Sequence, residues 1–141
     1  MATDDNHRSV TVERVAAGTF AAVNDRGGRI VLGAGAGAEF TPVELLMIAI
    51  AGCTAIDVDI LTSRRAEPDK FEISVDADKV RDEEGNHLEN IEVTYRLAFP
   101  PGDAGDAARA ILPEAVRRSH ERLCTVSRTV ELPAHVATRI G

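Results

Sequence analysis

The chain has 141 residues and a formal net charge of −7, with 16 basic against 23 acidic side chains. This length predicts one domain with its own hydrophobic core, and a composition of 44% hydrophobic and 28% charged residues is typical of globular proteins. The acidic balance and the 4% aromatic content argue against a nucleic-acid partner, since such binding usually needs a basic face and stacking aromatic side chains.

The amino-terminal sequence has no apolar segment of the kind found in secretion signals. Residues 1–8 are polar and are expected to form a flexible tail, followed by a single domain over residues 9–141. The longest uncharged apolar run, residues 45–56, is shorter than the roughly 20 residues needed to cross a bilayer. These features predict a cytoplasmic protein with no membrane partner, in which the cysteines are reduced.

The first third of the chain has the pattern of short strands separated by turns. Residues 9–32 contain three β-like stretches, and the Gly-rich residues 24–28 form a turn before the last of them, so we expect a three-stranded meander. Residues 33–38 formally fit the GxGxxA pattern of dinucleotide-binding loops, in which the glycines open a helix. Here the helix start signals come later, so a flexible linker is the expected role.

A long helix is predicted to begin at Pro42. Thr41 is the expected N-cap, and Glu44 stands where a capping box needs its acidic residue. The helix is expected to run to about Arg65, and its first half is apolar on every face, which is typical of a helix surrounded by protein. Helix capping explains Glu44 better than a catalytic role does.

The remaining chain predicts a hairpin, a second helical region and a last strand. Residues 71–78 and 91–97 alternate between apolar and polar side chains around an acidic turn, which indicates a β-hairpin with one buried face. Residues 103–122 are expected to be helical, kinked or divided at Pro113, and residues 129–140 to be extended. The expected fold class is α+β, with the order βββ-α-ββ-α(α)-β.

The two cysteines, Cys53 and Cys124, are the candidates for chemistry. Cys53 lies mid-helix among small and apolar residues, where a buried cysteine usually serves as a small hydrophobic side chain. Cys124 follows a helix among polar and basic residues that favour a thiolate, with a loop cysteine of no function as the alternative. His120 and Cys124 have the i, i+4 spacing of metal ligands, but no second ligand pair stands nearby, so no metal site is expected.

Two motifs resemble those of the OsmC/Ohr family, the osmotically inducible and organic hydroperoxide resistance proteins. TPVELL at residues 41–46, followed by Ala49 and AGC at residues 51–53, is similar to the family's N-P-x-x-L-L…A…GC helix. CTVS at residues 124–127 is similar to its second cysteine signature, and order and spacing match over nearly the whole chain. The stretch GCTAIDV at residues 52–58 most resembles the YhfA-like branch.

This resemblance implies an OsmC-like fold and an intertwined homodimer, with the long helices buried between sheets and the active sites at the interface. It implies that Cys53 attacks a hydroperoxide and becomes a sulfenic acid, which Cys124 resolves to an intramolecular disulfide. An external thiol or dihydrolipoyl reductant would reopen the disulfide, with no bound cofactor. The implied function is a thiol-dependent peroxidase that acts on organic hydroperoxides.

The chain departs from the family pattern at two positions. Active reductases of the family have a glutamate directly after the motif proline, where this chain has Val43, and an arginine in the early strands. Arg14, Arg26 and Arg29 are approximate counterparts of that arginine. One expectation is therefore a weak peroxidase, and the alternative is a non-catalytic dimer that binds a small apolar or thiol-reactive ligand in the same cleft.

Overall fold

The computed structural model describes residues 6–141, which form two compact units divided after Leu46. The second unit is Met47–Gly141. Within the predicted tail, residues 6–8 are exposed and lie outside the helices and strands, whereas residues 1–5 lie outside the described residues. The single domain over residues 9–141 stays a prediction.

The first unit contains the predicted meander. Its strands pair antiparallel in the order β1 (Thr11–Ala16), β2 (Thr19–Val23) and β3 (Arg29–Gly33). The turn between β2 and β3 is closed by Asn24, whose side-chain oxygen accepts hydrogen bonds from the backbone amides of Arg26 and Gly28. The Gly-rich residues after β3 are not helical, so the expected linker is confirmed.

Helix α1 spans Pro42–Ser63 and begins with the predicted capping box. The Thr41 hydroxyl accepts a hydrogen bond from the Glu44 amide at 3.2 Å, and the Glu44 carboxylate accepts one from the Thr41 amide at 2.9 Å. The bond from the Thr41 amide is the largest of the causes that lower the pKa of Glu44. The structural explanation of Glu44 is therefore confirmed.

Two opposite faces of α1 differ in exposure. The buried residues recur every four positions: Ile50, Thr54, Val58 and Thr62. On the opposite face, Ile48, Ile56 and Ile60 are 46%, 64% and 48% exposed. We call these three isoleucines the exposed stripe, because residues four or eight apart share one face of a helix. Among the described residues of the second unit, α1 is thus covered on one face and exposed on the opposite face.

Among residues 6–141, α1 is the single helix that is long and apolar enough to cross a membrane, judged by length and composition alone. Its second half carries Asp57 and Asp59. Carboxylates are costly in a hydrocarbon environment. These residues therefore suit a helix in a protein core better than a helix in lipid.

The second unit contains the predicted hairpin, formed by the antiparallel strands β4 (Lys70–Asp82) and β5 (Gly85–Ala98). The Asp82 carboxylate accepts hydrogen bonds from the amides of Glu84 and Gly85 and so closes the acidic turn. Gly85 has a φ of 133°, a backbone conformation that residues other than glycine rarely adopt. The turn is therefore fixed by local chemistry.

The second helical region differs from the prediction at Pro113. Helix α2 (Asp103–Arg118) continues through this proline, and the helix type changes only at the five-residue π-helix Ser119–Leu123, which we call the π turn. Proline removes one backbone hydrogen bond, but Ala108 and Ala115 on either side of it are fully buried and hold the segment helical. The expected division at Pro113 is therefore wrong, whereas the alternative of a kinked helix stays a prediction.

The last strand, expected over residues 129–140, is also wrong. Thr125–Glu131 form helix α3, and the residues after Leu132 belong to no strand. The β-branched residues here favour a strand by propensity, but the Cys124 side chain caps the first turn of a helix by accepting a bond from the Ser127 amide. The described residues thus form three α-helices, the π turn and two antiparallel sheets, and the α+β class is confirmed.

Candidate redox site

The second unit brings the two free cysteines together. Cys53 is partly exposed in the middle of α1, and Cys124 is 2% exposed at the junction between the π turn and α3. Cys124 is one of the groups that raise the pKa of Cys53, so the two thiols lie near each other. We call Cys53 and Cys124 the thiol pair.

Cys124 is held by its backbone and by its sulfur. Its N–H donates to the Ser119 carbonyl at 2.8 Å, and its carbonyl accepts from the Arg128 amide at 3.1 Å. The sulfur accepts from the Ser127 amide at 3.4 Å, and the thiol donates to the Ser127 hydroxyl at 3.3 Å. The position of this thiol is therefore set by the π turn before it and by the first turn of α3 after it.

The surroundings of Cys53 raise its pKa. Burial is the largest cause, and the neighbouring Cys124 adds to it, whereas the backbone amides of Val126 and Thr125 oppose the rise by stabilising the thiolate. No arginine of the second unit is among the groups that shift this pKa. The groups of the second unit therefore keep Cys53 a protonated thiol at neutral pH.

We expect the alkylation of Cys53 to accelerate steeply with pH. The thiolate is the reacting form, so a pKa above the ordinary value makes the rate rise about tenfold per unit between about pH 6 and pH 8. The measurement is the rate of iodoacetamide labelling of the native protein, with each cysteine quantified separately by peptide mass spectrometry. A Cys53 rate that is already constant around neutral pH would contradict the raised pKa.

A chain of hydroxyl groups includes Thr54, the residue that follows Cys53 in α1. The Tyr95 hydroxyl is 2.7 Å from that of Thr54, and the Ser119 hydroxyl is 2.8 Å from both the Thr54 hydroxyl and the Asp57 carboxylate. Thr54 and Ser119 are buried, and buried hydroxyls need such partners. Sequence reasoning missed this cluster, although Thr54 and Asp57 within a largely apolar helix are a visible signal of it.

A cavity of about 290 Å³ opens beside Cys124. Its walls combine polar and apolar side chains, among them Thr54, Tyr95, Cys124, Ile91, Val93 and Val116. A second cavity of about 210 Å³ shares Ile91, Val93, His120 and Ser127 with the first. Apolar walls with a few polar groups are typical of sites for small organic ligands. His120 and Cys124 both line the first cavity. The Nε2 atom of His120 is 3.4 Å from the Glu131 carboxylate.

The residues at the two positions where the chain departs from the family pattern lie in the first unit. Arg14 is in β1, Arg26 in the turn before β3, and Arg29 at the start of β3. Val43 is in the first turn of α1. The thiol pair and these four residues therefore belong to different compact units of the chain.

The family model described as OsmC-like protein matches residues 35–139. The chain belongs to the OsmC-like protein family. The match includes both cysteine motifs, so the predicted family is confirmed. OsmC/Ohr proteins are soluble, which agrees with the carboxylates Asp57 and Asp59 in α1. No curated protein sequence matches this OsmC-like chain significantly.

Solved structures share the OsmC-like fold. A hypothetical protein from Aquifex aeolicus is 26% identical, with a TM-score of 0.70 over 89% of this chain and 88% of that one. An OsmC-like protein of unknown function from Vibrio cholerae is 14% identical, with a TM-score of 0.72 over 89% and 94%. The organic hydroperoxide resistance protein OhrB of Bacillus subtilis is 19% identical, with a TM-score of 0.55 over 89% and 90%.

Proposed function

We propose that this OsmC-like protein reduces organic hydroperoxides with the thiol pair. The observation that supports the proposal is the proximity of two free thiols in a family whose solved members include organic hydroperoxide resistance proteins. Cys53 would attack the outer peroxide oxygen, so that the O–O bond breaks, an alcohol leaves and Cys53 becomes a sulfenic acid. Cys124 would then form the disulfide and release water, and an external thiol or dihydrolipoyl compound would reduce it without a bound cofactor.

The cavity and the Cys53 pKa indicate the substrate class and the speed of this reaction. The apolar residues Ile91, Val93 and Val116 in the cavity wall favour a hydroperoxide with an organic group over hydrogen peroxide. The raised pKa of Cys53 leaves little thiolate at neutral pH. The proposed peroxidase is therefore slow unless a further cation acts on Cys53.

We also propose that the working form is a cytoplasmic homodimer. The exposed stripe on α1 is apolar, and a Cβ added at Gly52, on the same face, would meet no atom within 4 Å. Burying a large aliphatic side chain contributes roughly 1.5–3 kcal/mol, so a second copy packed on this stripe would gain stability from each isoleucine. A reducing cytoplasm would keep both cysteines as thiols.

A second candidate function is non-catalytic binding of a small apolar or thiol-reactive ligand in the same cleft. The raised pKa of Cys53 favours it, because an unactivated thiol beside an apolar cavity suits binding without turnover. The two candidates use the same residues and differ only in whether peroxide oxidises the thiol pair.

The decisive experiment mixes reduced, anaerobic protein with stoichiometric cumene hydroperoxide and, separately, with hydrogen peroxide. We expect the loss of both thiols, a mass decrease of two hydrogens and the release of one equivalent of alcohol, faster with the organic hydroperoxide. Thiol titration and intact-mass spectrometry follow the reaction. Two thiols that survive for minutes would refute the peroxidase and leave ligand binding as the function.

A further inference from the structure

We propose that Ser119, together with Thr54, is a positioning residue that holds the thiol pair in place for disulfide formation. This inference rests on the proposed function, since it concerns the step in which Cys124 resolves oxidised Cys53. Ser119 is fully buried and is attached in two directions. Its side chain is bonded to α1, which carries Cys53, and its backbone is bonded to Cys124.

The side-chain attachment runs from Ser119 to two residues of α1. The Ser119 hydroxyl donates to Thr54 Oγ1 and to Asp57 Oδ2, each at 2.8 Å, and shares its one proton between them. The Tyr95 hydroxyl lies 2.7 Å from that of Thr54 and extends the chain to the hairpin. Rotating the Ser119 side chain would break two buried hydrogen bonds at once.

The backbone attachment passes through the π turn. The Ser119 carbonyl accepts the Cys124 N–H at 2.8 Å, which is the i→i+5 bond that defines a π-helix. Thr54 follows Cys53 directly in α1. Among residues 6–141, the Ser119 side chain makes the only hydrogen bonds between α1 and the π turn. One serine therefore connects the segment that carries the first thiol to the turn that carries the second.

The chemical step depends on this connection. The Cys124 sulfur attacks the sulfur of the Cys53 sulfenic acid, an S–S bond forms, the S–O bond breaks, and the leaving hydroxyl takes the Cys124 proton as water. Holding two reacting groups side by side raises their effective concentration. Freeing the π turn from α1 should therefore weaken disulfide formation while leaving both thiols in the chain.

The test measures the reduction potential of the thiol pair, which requires no peroxide. The protein is equilibrated with mixtures of reduced and oxidised dithiothreitol, in which the pair passes two electrons and two protons to the oxidised reagent. Alkylation followed by intact-mass spectrometry then gives the oxidised fraction. Ser119→Ala and Thr54→Val remove the two hydroxyls. Ser74→Ala is the matched control, because its hydroxyl accepts from Arg96 on the hairpin instead.

We expect Ser119→Ala and Thr54→Val each to reduce the equilibrium constant for disulfide formation about tenfold, the scale set by losing a buried hydrogen-bond partner. For this two-electron couple, tenfold corresponds to a potential about 30 mV higher. Ser74→Ala should stay within about twofold of the native chain. If Ser119→Ala fails to fold, Thr54→Val gives the same measurement, because valine is close to threonine in shape.

Unchanged potentials in the folded variants would overturn the proposal, even if their thermal midpoints fall, because a purely structural serine would give that result. The outcome is separate from that of the peroxidase. If the variants shift the potential but the native protein does not react with peroxide, the positioning role is supported and the peroxidase proposal is refuted. If the native protein reduces peroxide but the variants leave the potential unshifted, the peroxidase proposal is supported and the positioning role is refuted.

Discussion

Cys53→Ser should lower the rate of hydroperoxide consumption by about a thousandfold or more, the scale seen when a catalytic nucleophile is removed. In the proposed reaction the Cys53 sulfur breaks the O–O bond, and a serine hydroxyl neither ionises near neutral pH nor accepts an oxygen atom. The measurement is cumene hydroperoxide consumption in the presence of excess dithiothreitol. A variant that keeps a substantial fraction of the native rate would contradict the assignment of Cys53.

Cys124→Ser is the matched variant for this prediction, and it should react in a different way. It keeps Cys53, so one equivalent of hydroperoxide should still be reduced, and the sulfenic acid should persist long enough to be trapped by dimedone. Serine is itself a favourable N-cap, so α3 should stay folded. A dimedone adduct on Cys124 of the Cys53→Ser variant would instead show that Cys124 attacks the peroxide and that Cys53 resolves it.

Ile56→Glu should convert the proposed dimer into a monomer. The native chain should sediment at 2 × 15.1 kDa, about 30 kDa, and the variant at 15.1 kDa. Ile56 is the most exposed residue of the stripe, at 64%, and a carboxylate there would be buried without a partner in the interface. We expect the dissociation constant to rise at least about a hundredfold, measured by sedimentation velocity over a concentration series.

Ile56→Val is the control for this experiment, because it keeps an apolar side chain and removes only one methylene group. This variant should remain a dimer with about the native dissociation constant. A native chain that sediments at 15.1 kDa at micromolar concentration would refute the dimer outright. A dimer that tolerates Ile56→Glu would instead place the interface away from the exposed stripe.

The elements that the sequence predicts correctly are those with local signals. Thr41 and Glu44 are three residues apart, and both bonds of the capping box form between them. The hairpin of β4 and β5 follows from alternation along each strand. The errors arise where a local preference meets a stronger nearby contact, as at Pro113, which buried alanines on both sides keep helical.

The candidate site is predictable in part. The resemblance to the family indicated Cys53 and Cys124, and the structure places them near each other. The hydroxyl chain could not be predicted, because Thr54 is 41 residues from Tyr95 and 65 from Ser119, and their meeting depends on how α1, β5 and the π turn pack. No sequence pattern encodes a hydrogen bond between elements so far apart along the chain.

The hydroxyl chain also links the cavity beside Cys124 to the contact between α1 and the π turn. Tyr95 lies in the cavity wall, and its hydroxyl is 2.7 Å from that of Thr54. A bound hydroperoxide or alcohol has a hydroxyl group that pairs with either the proton or the lone pairs of the phenol. Such a molecule competes with Thr54 for the Tyr95 hydroxyl, and Thr54 in turn accepts from Ser119. Occupancy of the cavity is thereby coupled to the bonds that hold the π turn on α1.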